Sequence, residues 1–189
     1  ITKSNFLSLM DHLGTGNAWD LAKRRSGLTI LPPYKEHNFD GIIETLYTLH
    51  SFIEHGNEEY VLIDNAGCVS NFNYRKLFEY HEQKGADITF IYTSRSNDCE
   101  VKAEGTALEI DKNGKVTKAL LPICDNETTC VSGAFLIKKE LLMNMVRNLV
   151  AENKTDFTRD FVQPNVGKLN MYAYENTGYC AIITSMKDY

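Results

Sequence analysis

Two short apolar runs, separated by about the length of one amphipathic helix, constrain this chain more than any other feature. Glu59-Tyr60-Val61-Leu62-Ile63 is continuous and β-rich, the pattern of a strand buried on both faces. Asp87 to Thr93 repeats it, with Ile88, Phe90, Ile91 and Tyr92. Between them, Tyr74 to Lys84 has helical spacing, and Gly85 supplies a residue suited to a helix C-terminus. Strand, helix and strand in that order predict a βαβ unit, with parallel neighbouring strands and a right-handed crossover.

The flanking segments extend this pattern. Ser4 to Leu13 places Phe6, Leu9, Met10 and Leu13 on one helix face before Gly14. Leu28 to Leu31 is expected as a strand ended by Pro32-Pro33, and Gly41 to Phe52 as one helix with Ile42, Leu46, Leu49 and Ile53 along one side. Thr106 to Ile110 and Lys115 to Leu121, joined by Asp111-Lys112-Asn113-Gly114, predict a β-hairpin with Asn-Gly in its turn. A strand at Cys130 to Ile137, a helix at Lys139 to Val150 and a short helix at Phe157 to Val162 follow. Two last strands fall near Leu169 to Tyr174 and Cys180 to Thr184. A parallel core with an antiparallel addition is a mixed α/β sheet. With 189 residues and no Pro/Ser-rich linker or repeat, one domain is expected, able to bury its core without a staple.

Composition removes several functions. A formal net charge of -5 does not attract extended anionic surfaces, which argues against nucleic acid and anionic membranes as partners. No apolar run approaches a membrane span, and Ile1 is read as a truncated or processed start. Cys68, Cys99, Cys124, Cys130 and Cys180 are scattered, as reduced thiols of a cytoplasmic protein are. His12, His37, His50, His55 and His81 read as solvated side chains on helix faces or loops. Gly14-Thr15-Gly16 is a turn after a helix, not a phosphate loop. One acid stands where ligands of open α/β sheets bind, beyond a strand's carboxyl end: Asp64, either a magnesium carboxylate or a cap on the turn.

Segment order then carries a resemblance. The run Glu59 to Ile63, Phe72-Asn73-Tyr74, and a helix closing on His81-x-x-Lys84-Gly85-Ala86-Asp87-Ile88-Thr89 resemble glucose-1-phosphate adenylyltransferases around their nucleotide and metal site. Gly41 opening a helix, Asp111-x-x-Gly114-Lys115-Val116, Asp156-Phe157-x-x-Asp160 and the close from Gly178-Tyr179 to Tyr189 agree. The resemblance runs over the whole chain and an internal section of the family's length. It implies a Rossmann-like, glycosyltransferase-A-like nucleotidyltransferase fold: a three-layer sandwich with a mixed sheet, truncated on its N-terminal side. The Gly-rich loop and the C-terminal β-helix domain of the family fall outside this section. Missing upstream strands would leave sheet edges without partners.

The family makes ADP-glucose and pyrophosphate from ATP and glucose 1-phosphate, for glycogen or starch, with Mg2+ on two carboxylates. Four of its functional positions differ here. Gly67 stands where the Asp of A-G-D belongs, and Ile182 where the Asp of Y-W-R-D-V-G-T belongs. Pro122 falls in the run matching the sugar-phosphate lysine motif V-E-K-P, and Asp40 replaces an arginine before Gly41. Hydrocarbon at a metal and phosphate site supplies no ligand and adds desolvation cost. The resemblance therefore implies a copy with no cofactor of its own, closest to the degenerate GlgD-type regulatory subunit, with a catalytic homologous subunit or a second copy as partner. Phe39, Gly41, Asp64, Asn65, Ser132, Gly133 and Asp156 are the expected lining of its vestigial cleft, where a nucleotide or sugar phosphate would sit. An active enzyme using Asp64 for metal, and a module sensing such ligands, stand as alternatives.

Overall fold

A computed structural model describes residues 6–23, 27–31, 41–93, 107–120 and 129–183. The chain forms two compact units, Ile1–Asp40 and Gly41–Tyr189. In the first, helix α1 (Phe6–Leu13) ends where Gly14 turns left-handed at φ 52°, followed by a 3-10 turn at Asn17–Trp19. The strand expected at Leu28 to Leu31 does not form. Leu28 N–H instead donates to the Leu21 carbonyl in a loop, and no other described segment gives the run a ladder.

The second unit contains helices α2 (Ile42–Thr48), α3 (His50–Glu54), α4 (Tyr74–Gln83), α5 (Lys139–Ala151) and the single turn α6 (Gln163–Asn165). Its strands are β1 (Tyr60–Ile63), β2 (Cys68–Ser70), β3 (Ile88–Thr93), β4 (Ala107–Ile110), β5 (Val116–Leu120), β6 (Thr129–Lys138), β7 (Met171–Glu175) and β8 (Cys180–Ile182). The one helix expected over Gly41 to Phe52 is broken at Leu49. There Thr45 and Thr48 turn their hydroxyls back onto the Gly41 and Thr45 carbonyls, which competes with regular helical bonding. Local chemistry fixes the ends of α4. Asn73 Oδ1 accepts from Arg75 and Lys76 N–H at its start. At its end, left-handed Gly85 lets Ala86 N–H reach the His81 carbonyl and Gly85 N–H the Glu82 carbonyl, a Schellman motif. Asn153, at φ 54°, closes α5 in the same manner.

The sheet runs β5-β4-β6-β3-β7, with β1 beside β6. Strand β6 is its hub. Its second half pairs antiparallel with β1 (Tyr60↔Lys138 to Ile63↔Phe135), its first residues with β4, and its other edge with β3. This corrects the βαβ expectation. β1 and β3 are both antiparallel to β6, so they point the same way but flank it and are not neighbours. The parallel pairing is β3 with β7. β1 is also not buried on both faces: Leu62 is 39% exposed. Among the described residues β1 has a ladder on one edge only.

Helices cover both faces, giving three layers. On one side α2 and α5 bring Ile43, Leu46, Leu142, Met145, Val146 and Leu149 onto Ile88, Phe90, Phe135 and Ile137. On the other, Leu77 of α4 packs with Ile91, Ala134 and Leu136. The spacing of the α5 residues is that of one helical stripe. No described helix is long and apolar enough to cross a membrane.

His81 departs from the expectation of a solvated side chain. It lies one turn after Leu77 on the sheet-facing side of α4, is 1% exposed, and shares a 2.7 Å hydrogen bond between Nδ1 and the Thr89 hydroxyl. Its Nε2 is buried without a partner. The Tyr60 ring stands edge-on to it, and the facing charges are Lys138 and Asp87. Burial, then Lys138, lowers the imidazole pKa, against an opposing pull from Asp87. The folded imidazole stays neutral while the unfolded one takes a proton below about pH 6.5. Its contribution to stability is therefore full above that pH and is lost as pH falls through it toward the folded pKa. Urea midpoints should drop between about pH 7.5 and about pH 5.5, and His81→Gln should flatten that drop; an equal slope in both proteins would refute the assignment.

Candidate functional site

Beyond the carboxyl end of β1 the chain makes a tight turn. Asn65 Oδ1 accepts from Gly67 N–H at 2.9 Å, and the Asn65 carbonyl accepts from Cys68 N–H. An Asx residue favours such a turn because its side chain imitates a backbone acceptor. Asp64 holds the turn to α4: Oδ1 accepts from Asn65 N–H at 2.8 Å, and Oδ2 accepts from the Tyr74 hydroxyl at 2.5 Å. That bond to a carboxylate, with burial second, pushes the Tyr74 pKa up to about 12, so the phenol remains a donor. Of the two readings of Asp64, these contacts match the turn cap.

The turn delivers the chain into a two-stranded ribbon, of which sequence reasoning found the second strand, near Cys180 to Thr184, and missed the first. β2 pairs antiparallel with β8 as Cys68↔Ile182, Val69↔Ala181 and Ser70↔Cys180, and Gly67 carbonyl accepts from Ile183 N–H. A three-residue strand beside an Asn-rich turn has too little alternation to read. Asn176 fixes the far side: its N–H donates to the Tyr92 carbonyl, while its Oδ1 accepts from Gly178 N–H. The ribbon sets positions 67 and 182 within one residue of register. A Cβ at Gly67 would lie 3.3 Å from the Ile183 carbonyl oxygen and 3.3 Å from Asn65 Oδ1.

Other expected lining residues fall into two groups. Gly133, at φ 83° in the irregular middle of β6, backs onto Asn65, where a Cβ would sit 3.5 Å from the Asn65 Cβ; Ser132 is its neighbour in β6. Gly41 belongs with the Thr155–Asp156 turn, since a Cβ there would meet the Thr155 carbonyl at 3.1 Å. Asp156 Oδ1 accepts from Arg159 N–H, and Asp160 accepts from Asp156 N–H and a two-pronged Arg159 guanidinium. That guanidinium, first among its causes, lowers the Asp160 pKa to about 2. The Asp156-Phe157-x-x-Asp160 motif therefore caps the start of the helical turn Thr158–Val162, where a short helix was expected, and Phe157 stacks on Phe135 of the core. Phe39, Asp40 and Pro122 lie outside the described residues.

A hollow between ribbon and sheet is lined by Asp64, Cys68, Ser70, Phe72, Tyr74, Ile91, Ala134, Asn176 and Cys180. Its volume is about 10 Å³, room for about one water. Magnesium takes near-octahedral oxygens, commonly one or two carboxylates with waters and phosphates. Here Asp64 already accepts from Asn65 and Tyr74, Asn65 Oδ1 accepts from Gly67, and Gly67 brings no donor side chain. These residues do not fit a magnesium ion. Among the described residues no group of three or more His, Cys, Asp and Glu could hold a metal.

Comparison with known proteins points one way. The chain is 27% identical over 194 residues to glucose-1-phosphate adenylyltransferase of Clostridium kluyveri, covering 95% of this chain and 48% of that protein. It is 26% identical to the protein of that name from Halalkalibacterium halodurans, covering all of this chain and 51% of the relative. To that of Bacillus subtilis it is 30% identical over 132 residues, 64% of this chain and 35% of the relative. The chain thus spans about half the length of the curated relatives it matches over its whole extent. No protein-family model matches it. Its fold is shared with the crystal structure of HddC from Yersinia pseudotuberculosis, at TM-score 0.66 and 16% identity, over 99% of this chain and 72% of that one.

Proposed function

We propose, from the similarity to glucose-1-phosphate adenylyltransferases, that this chain is part of a non-catalytic, regulatory subunit of a cytoplasmic ADP-glucose-forming enzyme of glycogen synthesis. The observation that carries the reading is the ribbon. Its first pair, Cys68↔Ile182, leaves Gly67 one residue out of register with Ile182; the resemblance assigns the family's two magnesium carboxylates to these positions, and neither residue here has a side-chain oxygen. Asp64 does not compensate, since its oxygens serve the turn and Tyr74. A scaffold kept around an emptied site suits a partner that acts through assembly. It would shift the conformational equilibrium of a catalytic homologous subunit, and so that subunit's response to effectors.

The test uses the protein in its full length and a catalytic homologue from the same source. Co-purified, the two should form a hetero-oligomer whose effector half-saturation differs by about 5-fold or more from that of the catalytic subunit alone. Failure to co-assemble, with unchanged kinetics in the mixture, would remove the regulatory reading. A titration with ATP and glucose 1-phosphate, giving saturable binding to this protein alone, would move the reading to ligand sensing.

A further inference from the structure

The ribbon carries a pair of side chains that the reading above does not use. Cys68 and Cys180 are 112 residues apart in sequence, yet their Sγ atoms meet at 3.4 Å in a thiol–thiol hydrogen bond, with no disulfide between them. The register explains the meeting. Cys68 is opposite Ile182 and Cys180 is opposite Ser70, so the cysteines are diagonal neighbours on one face of an antiparallel pair. Diagonal positions usually have Cα atoms roughly 7–8 Å apart, slightly beyond disulfide range, but a two-stranded ribbon twists strongly and shortens one diagonal. The sulfur contact places these cysteines on the short one. Both are half-buried and line the hollow beside Asp64 and Tyr74, which are exposed.

We propose that Cys68 and Cys180 form a reversible disulfide across the ribbon, made by exchange with a low-molecular-weight disulfide such as oxidised glutathione. One cysteine thiolate attacks a sulfur of the reagent, whose S–S bond breaks and releases one glutathione thiolate. The second cysteine thiolate then attacks the protein sulfur of the mixed disulfide and releases the other. The protein loses two electrons and two protons; one glutathione disulfide becomes two thiols. Contact between the sulfurs favours the second step over persistence of the mixed disulfide, because the resolving thiol is already in place.

The bond would act on the ribbon itself. The sulfurs must approach by about 1.4 Å to reach bonding distance, and the ribbon takes up that movement. Gly67 precedes Cys68, and Ile182 lies opposite it, so the movement falls on the two positions that matter for catalysis in the family. The proposal rests on geometry alone and stands apart from the regulatory reading.

The experiment equilibrates the 189-residue chain in glutathione buffers of graded redox potential, quenches it with acid and maps its peptides without reduction. The expected product is one peptide pair joined through Cys68 and Cys180, reversed by dithiothreitol, with the melting temperature raised by roughly 5–15 °C in the oxidised form. Cys68→Ser and Cys180→Ser should each leave the remaining cysteine carrying glutathione. Persistent glutathione on both cysteines of the unaltered chain, or a bond from either to Cys99, Cys124 or Cys130, would overturn the proposal. The mapping needs no variant and no activity, so neither a folding defect nor failure of the regulatory reading obscures it.

Discussion

Assayed alone with ATP, glucose 1-phosphate and magnesium, the protein in its full length should form ADP-glucose at a rate roughly 10⁴-fold or more below that of a relative with both carboxylates. On the regulatory reading proposed above, the size follows from the two metal carboxylates that the resemblance assigns to Gly67 and Ile182. Removal of one group that stabilises transition-state charge lowers a rate by about 10²–10³, and at least two such positions differ here. Nucleotidyl transfer depends on charge neutralisation at phosphorus, and neither a glycine nor an isoleucine contributes to it. A gain of function reads the same geometry from the other direction. The double substitution Gly67→Asp with Ile182→Asp should create manganese binding, seen by electron paramagnetic resonance, where the unaltered chain shows none. Gly67 lies in the turn just before the pair Cys68↔Ile182, outside the strand alternation, and a Cβ there would press on the Ile183 carbonyl oxygen and Asn65 Oδ1 at 3.3 Å, which a small local shift relieves. Turnover by the unaltered protein, abolished by Asp64→Asn, would show instead that Asp64 leaves Tyr74 to hold the metal.

Gly114→Ala should destabilise the second unit by about 2–5 kcal/mol, among the largest effects of any single added methyl group in the structure. Gly114 sits at φ 81° in the β4–β5 turn, where Asp111 Oδ1 accepts from Asn113 and Lys115 N–H. The turn docks on the edge of β7, for Gly114 carbonyl accepts from Ala173 N–H at 2.8 Å. A Cβ at Gly114 would overlap the Tyr80 hydroxyl and approach the Ala173 carbonyl oxygen to 3.2 Å. Gly85→Ala is the control. It has φ 57° with nothing within 4 Å, so only the left-handed backbone term of about 1–2 kcal/mol remains. Urea denaturation of both variants separates strain from contact; equal losses would mean that the turn does not dock on Tyr80.

Local chemistry was readable and long-range pairing was not. The Asp111–Gly114 turn, the helix from Lys139 to Val150 and the Gly85 stop were foreseen because each is decided within a few residues. The partner of β1 is decided by β6, more than seventy positions later, and a run of apolar residues does not say which strand lies beside it. His81 was misread for the same reason: only the arrival of β3 and Thr89 turns its helix face into an interior. At the candidate site, Gly67 and Ile182 drew notice through family resemblance and the strand near Cys180 was legible, whereas the Asp64–Tyr74 bond and the meeting of Cys68 with Cys180 depend on β2, a strand too short to show in the sequence.

The position of β6 has a consequence for biosynthesis. β1, β3 and β4 all take their ladders from a strand that ends at Lys138, so none can pair with it until the ribosome has released the chain well past that point. Among the described ladders of the main sheet, β4 with β5 alone closes early and locally. Long-range pairing is slow, and unpaired strands are exposed to aggregation while they wait. The nascent chain must therefore carry Val61, Leu62, Ile88 and Phe90 without their β6 partners until Lys138 has left the ribosome, an interval in which a chaperone would find its binding sites.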